Sequence, residues 1–301
     1  MSGSSFSGNG AKNGGAIFNG GTLTVSGSAF SGNQATSSNM MLGGGGTGGA
    51  IFNDYTLTVT ASTFSDNNAS IGLGNPPNGW GAAISNWGTL IVAGSTFSGN
   101  GSEVQSSNGG AISNDLGQLI VSRSTFSANA AISGSAIYNQ ALLTMAADIF
   151  NDSCGTNQYG TWYDRGYNVA SNNSCLKGGT TDVEDRSLTS LLGPLAANGG
   201  PTETILPLTG NPAIGLVPYP TSATIDGVSV RLCPTTDQRG VRSAPGEACN
   251  AGSVQFGPTA PPAITSATVT GFADGTMNSF EVTTAGSAFG RTSVMSRHRA
   301  L

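Results

Sequence analysis

The sequence predicts an all-β fold, a parallel β-helix solenoid with three strands per coil, because three short phrases recur in a fixed order. The first is a Phe among Ser, Thr and small residues, ending at Asn9, Asn33, Asn67, Asn100 and Asn129, with a degenerate sixth copy at Phe150-Asn151-Asp152-Ser153. The second is Gly14-Gly15-Ala16-Ile17-Phe18-Asn19, repeated in units ending at Asn53, Asn86, Asn114 and Asn139. The third is Leu23-Thr24-Val25, then Leu57-Thr58-Val59, Leu90-Ile91-Val92, Leu119-Ile120-Val121 and Leu143-Thr144-Met145.

Spacing separates strands from corners. From the Leu of the third phrase to the next Phe is seven residues in every repeat, and from the second-phrase Asn to that Leu is four in all repeats but one. All the length variation falls between the first-phrase Asn and the second-phrase Gly, at 5, 15, 14, 9 and 5 residues. Strands must stay in register on the coil below, whereas one corner can grow into solvent, so this pattern is what a coil requires. Within the phrases, residues alternate: Leu23 and Val25 share one face and Thr24 the other. Stacked about 4.8 Å apart, the coils would place the Phe residues in one internal column and the Ile residues in another. The Asn residues suit corners, where the amide of one coil can bond to the amide above.

Composition narrows the function classes. Charged residues make up 9% of the 301 residues and the net charge is −5. Before residue 151 the only basic residues are Lys12 and Arg123, against Asp54, Asp66, Glu103, Asp115 and Asp148. There is no basic stripe to neutralise phosphates, so no nucleic-acid partner is expected. No apolar run reaches the roughly 18 residues needed to span a bilayer. Met1 leads directly into the end of a repeat, so the chain is read as a fragment, without its secretory signal peptide and anchoring module. Cys154 and Cys175 bracket one loop, and Cys233 and Cys249 another. Their spacing does not suit zinc, and two sequentially adjacent disulfides are the natural reading, which implies an oxidising compartment. Three connectivities exist, and the sequence alone does not choose among them.

Beyond Phe150 the repeats stop, and a different set of motifs begins. They include Leu191-Leu192-Gly193-Pro194-Leu195, Asn211-Pro212-Ala213-Ile214, Asp237-Gln238-Arg239-Gly240 and Cys249-Asn250-Ala251-Gly252. Here the chain resembles the bacterial choice-of-anchor Q domain proteins, over about residues 5–256. Their repeats are similar to those of polymorphic outer-membrane proteins, within the pectin-lyase-like superfamily. The resemblance implies a right-handed parallel β-helix, secreted or displayed at the bacterial cell surface, with a variable C-terminal anchor and no known reaction. The chain departs from that pattern at Thr189-Ser190, at Thr202-Glu203-Thr204-Ile205, at Gly215 and at Val254-Gln255-Phe256. From Pro258, a Pro-rich link leads into segments that resemble the opening strands of a bacterial Ig-like domain, too short to complete a sandwich. The expected divisions are therefore residues 1–153 for the repeats, 154–257 for a small disulfide-bearing tail, and 258–301 for the link and partial Ig-like segment.

Few residues are spaced for chemistry. A β-helix lyase needs a base beside cations, and a hydrolase needs paired carboxylates roughly 5–9.5 Å apart. Asp54 and Asp115 are the only acids at one repeat position, each following the second-phrase Asn, and they lie two coils apart. They frame a polysaccharide lyase or hydrolase only as the alternative reading. His298 sits in an aberrant tail, Asp182, Glu184 and Asp185 read as a solvated linker rather than a Ca²⁺ site, and Gly43 to Gly49 lacks the Lys and helix of a phosphate cradle. No catalytic residue, metal ligand or cofactor is assigned. The variable corner is more promising, since loops on a rigid scaffold carry recognition. Asn75, Asn78, Trp80 and Gln105 lie in the loops 68–80 and 101–108, with Trp87 near the next corner, and are candidates for binding sugars. The expectation is a non-enzymatic surface scaffold or adhesin, with a polysaccharide or a surface protein as partner.

Overall fold

In the computed structural model each phrase is a strand and each strand lies on its counterpart in the next coil. The structure describes residues 1–37, 46–71, 79–101, 108–225, 228–243, 245–255, 263–273 and 276–285. The chain divides into two compact units, Met1–Phe256 and Gly257–Leu301.

Three parallel sheets run the length of the first unit. The Phe sheet stacks Ser5–Ser7, Ala29–Ser31, Thr63–Ser65, Thr96–Ser98, Thr125–Ser127 and Ile149–Phe150, with Phe facing Phe in every pairing. The Ile sheet stacks Ile17–Asn19, Ile51–Asn53, Ile84–Asn86, Ile112–Asn114 and Ile137–Asn139. The Leu sheet stacks Thr22–Ser26, Thr56–Thr60, Thr89–Ala93, Gln118–Ser122 and Leu142–Ala146. This is the parallel β-helix that the spacing predicts. A short fourth sheet was not apparent from the spacing. Gly10–Ala11, Gln34–Ser37 and Asn68–Ile71 pair in parallel where the variable corner begins, because Ala35 and Ala69 turn inward against Ala82.

The interior is built of columns. Phe30, Phe64, Phe97, Phe126 and Phe150 are fully buried, and Phe30 and Phe64 stack with centroids 4.7 Å apart at an interplanar angle of 2°. Identical rings at the strand spacing gain stacking of about 0.5–1.5 kcal/mol per pair beyond their burial. Polar ladders run alongside. Asn19, Asn53, Asn86, Asn114 and Asn139 are linked amide to amide, each Nδ2 donating to the next Oδ1 at 2.7–2.8 Å. A second ladder links Asn9, Asn33, Asn67, Asn100 and Asn129 and ends on Asp152. A third joins the backbone N–H of Ser28, Ser62, Ser95 and Ser124 to the next side-chain oxygen, and runs on through Asp148 and Asn168 to Asp182. Buried polar groups cost little when every one has a partner, so the ladders hold the corners at fixed height.

Each coil turns through left-handed residues. One corner uses Gly14, Gly48, Gly81, Gly109 and Gly134, all at positive φ. A Cβ at Gly81 would collide with the Ile84 carbonyl, so only Gly fits. A second corner is more tolerant, with Gly27, Ala61, Gly94, Arg123 and Ala147 all between φ 47° and 59°.

The stack continues where the repeated phrases end. Cys154–Thr156 extends the Ile sheet, Thr161–Asp164 the Leu sheet, and Val169–Ala170 and Val183–Glu184 the Phe sheet. Cys154 takes the place of Ile137 and Trp162 that of Leu143, which keeps the columns apolar without the phrase. The disulfides are Cys154–Cys175 and Cys233–Cys249, the sequentially adjacent pairing. The described residues of 189–255 return over the outer faces of the Phe and Leu sheets. The Gln238 amide donates to the Ser62 carbonyl and Thr63 hydroxyl at 3.2 and 2.9 Å and accepts from the Thr96 hydroxyl at 2.7 Å. Asp237 and Arg239 form an ion pair at 2.8 Å. In the second unit Ala263–Ala273 and Thr276–Ala285 form one antiparallel hairpin. Among the described residues no helix is long and apolar enough to cross a membrane.

Candidate functional site

The outer face of the Ile sheet carries the chemistry that the sequence brings together. In Ile17-Phe18-Asn19 and its repeats the Ile and Asn are engaged inside, so the middle residue points outward. That column runs Phe18, Phe52, Ser85, Ser113, Tyr138. The residue after each Asn forms a neighbouring column, Asp54, Trp87, Asp115 and Gln140, because each backbone N–H donates to the Asn carbonyl one coil earlier.

The aromatic part is an exposed stripe. Phe18 stacks on Phe52 at 5.2 Å, and Phe52 meets the edge of Trp87 at 5.4 Å. Phe52 is buried beneath its neighbours, whereas Phe18 is 57% exposed, Trp87 44% and nearby Tyr55 61%. Rings held by their neighbours and open on one face can accept the apolar face of a ligand with little loss of conformational freedom.

The polar part centres on Asp115, which is half-buried. Its carboxylate accepts from the Ser113 hydroxyl at 2.7 Å, the Gln140 amide at 3.0 Å and the Ser85 hydroxyl at 3.2 Å. Asn157 in turn donates to Gln140 at 2.7 Å. Burial pushes the Asp115 carboxyl up to about 6, against the hydrogen bonds from Ser113, Ser85, Gln140 and the Trp87 indole, which favour the charged form. The network therefore ties Trp87 to two strands of the scaffold. Asp54 is exposed one coil to the other side of Trp87. The two acids thus flank an indole rather than face one another.

Of the sugar-binding candidates, Trp87 lies in this stripe. Trp80 lies at the opposite end of the strand Ile84–Asn86 and packs edge-on against Tyr138 at 6.3 Å. Asn75, Asn78 and Gln105 lie outside the described residues, as do Gly43 and His298. Phe18, Phe52 and Tyr55 were not singled out from the sequence. The signal was present, since Phe at the middle position of the second phrase breaks an otherwise polar outer face. The acids near residue 182 do not converge. Glu184 pairs with Arg186 at 3.3 Å, and Asp185 accepts from Ser187. Burial and the adjacent Asp164 carboxyl raise Asp182 to about 7. Among the described residues no group of His, Cys, Asp and Glu is placed to hold a metal ion.

Residues 94–115 match the Chlamydia polymorphic membrane protein repeat. The matched segment holds the strands Thr96–Ser98 and Ile112–Asn114 of one coil and stops before its third strand, Gln118–Ser122. No curated protein and no solved structure matches the chain.

Proposed function

We propose that this chain is a non-enzymatic scaffold of the adhesin type, at a bacterial cell surface, that holds neutral glycan against the Phe18–Phe52–Trp87 stripe. The carrying observation is that stripe: exposed Phe18 and Trp87 packed on the buried Phe52, with Trp87 braced by Asp115, on a face with no basic residue in either of its two columns. Sugar rings present C–H faces to aromatics and hydroxyls to carboxylates and amides, whereas anionic polymers would need cations there. The surface setting is supported by the match of one repeat to a membrane-protein repeat and by two disulfides, which persist in oxidising compartments. Membership of the choice-of-anchor Q proteins and the pectin-lyase-like superfamily belongs to the same proposal, supported by the Leu191-Leu192-Gly193-Pro194-Leu195 and Asp237-Gln238-Arg239-Gly240 motifs.

One observation favours an enzyme instead. A carboxyl raised to about 6 suits a general acid, and Asp115 is such a group. The test is a panel of neutral and acidic polysaccharides, scored for retention of the chain and for release of new sugar ends. Retention on a neutral polymer, lost in Trp87→Ala and without new ends, is the expected result. New ends that vanish in Asp115→Asn would establish the enzymatic reading. Retention on acidic polymers alone would contradict the neutral-glycan assignment.

A further inference from the structure

A second site lies where the returning tail meets the coils, on residues other than the aromatic stripe and independent of the reading above. Arg123 occupies the tolerant left-handed corner at φ 53°, where the coils before it carry Gly27, Ala61 and Gly94. A long side chain at positive φ is disfavoured on conformational grounds alone, and such outliers cluster at functional positions. The side chain extends into the wall of a cleft of about 190 Å³ between the corners at Thr60, Ala61, Ala93 and Gly94 and the tail residues Pro234, Thr236 and Gln238.

The charges around this cleft are unevenly matched. Arg123 Nε is buried and has no hydrogen-bond acceptor among the described residues. Asp148, the acid that acts on it electrostatically, has its oxygens engaged by the Ser124 and Ala146 backbone N–H groups at 2.7 and 3.2 Å. Asp237, also in the wall, is saturated by the Arg239 guanidinium and by the Val241 and Gln255 N–H groups. Gln238 is likewise engaged with the Phe sheet. An adjoining cleft of about 230 Å³ shares Pro234 and adds Arg231, Arg242 and the buried Ser243 hydroxyl, which also has no partner among the described residues. Neither arginine forms an ion pair with a described residue. In an acidic chain, Arg123, set against an Asp148 already engaged by backbone N–H groups, and the exposed, unpaired Arg231 and Arg242 line two clefts that share Pro234.

We propose that these clefts bind an organic anion, one carboxylate at Arg123 and further acidic groups of the same ligand at Arg231 and Arg242. A guanidinium presents parallel N–H donors that fit a planar carboxylate, and a partly desolvated one binds it more strongly than an exposed one.

The experiment is calorimetric titration of the full chain with citrate and with acetate, at constant ionic strength set by chloride. Citrate is expected to bind saturably and more tightly than acetate. Arg123→Gly should weaken citrate by about tenfold or more. It is also expected to fold, since Gly27 and Gly94 hold the same corner in other coils. Arg123→Lys keeps the charge without the fork and should be intermediate. Replacing both Arg231 and Arg242 by Ala should bring citrate down to the affinity of acetate. Equal citrate affinity in the wild type and Arg123→Gly would overturn the proposal, as would a wild-type chain that distinguishes neither anion from chloride.

Discussion

Asp152 shows how far one atom pair departs from the repeat. It ends a ladder of asparagines, accepting from the Asn129 backbone N–H at 3.2 Å and the Asn129 amide at 2.7 Å, and burial raises its carboxyl to about 6. An amide there would still accept from Asn129, and its N–H could reach the Phe126 carbonyl, as Asn129 reaches that of Phe97. Asp152→Asn is therefore expected to raise stability at pH 7.5 by about 3 kcal/mol, the cost of ionising a buried carboxyl shifted by some two units. At pH 3, below the unfolded value of 3.8, the carboxyl is protonated in both states and the difference should nearly vanish. Urea midpoints at the two pH values measure it, and a variant no more stable at pH 7.5 would refute the assignment. Residues of this kind were only partly legible. The columns of Phe, Ile and Asn could be read because a coil demands identical groups at identical heights. The acid cap at Asp152 could not, since a ladder's end is set by which coil is last.

At the level of the strand, the middle of the stack should be more sensitive than its end. Asn86 accepts from Asn53 and donates to Asn114, the Gly88 carbonyl and the Gln118 carbonyl. Asn86→Ala leaves several of these groups buried and unpaired and is expected to cost about 3 kcal/mol. Asn19, with a ladder neighbour on one side only, should cost less when changed to Ala. Thermal unfolding of the two variants compares them directly, and equal losses would mean that the ladder carries no cooperative weight. Strand alternation and the fixed seven-residue interval made these elements readable in the sequence. The coil beyond Phe150 was not, because Cys154 and Trp162 fill their columns without reproducing any phrase. The aromatic stripe was half legible. Trp87 stood out as a rare residue, but its bracing by Asp115 depends on two columns meeting across neighbouring coils.

At the scale of the molecule, the buried acids set an unusual pH response. Asp115, Asp152 and Asp182 are raised to about 6, 6 and 7, and Asp148 is raised well above its ordinary value, all chiefly by burial. Between the unfolded value of 3.8 and these folded values, the folded chain holds more protons than the unfolded one. Their contribution is thus fully present below the unfolded value and is lost as pH rises through 6 and 7. The melting midpoint of the first unit is expected to be higher at pH 5 than at pH 7.5, and a midpoint that rises over that interval would contradict it. The same scaffold rigidity underlies the functional claim, since the glycan face exists only where successive coils hold Phe18, Phe52 and Trp87 in step. The most direct measurement of that claim is tryptophan fluorescence of the chain titrated with a neutral oligosaccharide. A saturable change that disappears in Trp87→Phe but persists in Trp80→Phe is the predicted result. A change that survives Trp87→Phe, or none across the neutral oligosaccharides that the chain retains on a column, would contradict it.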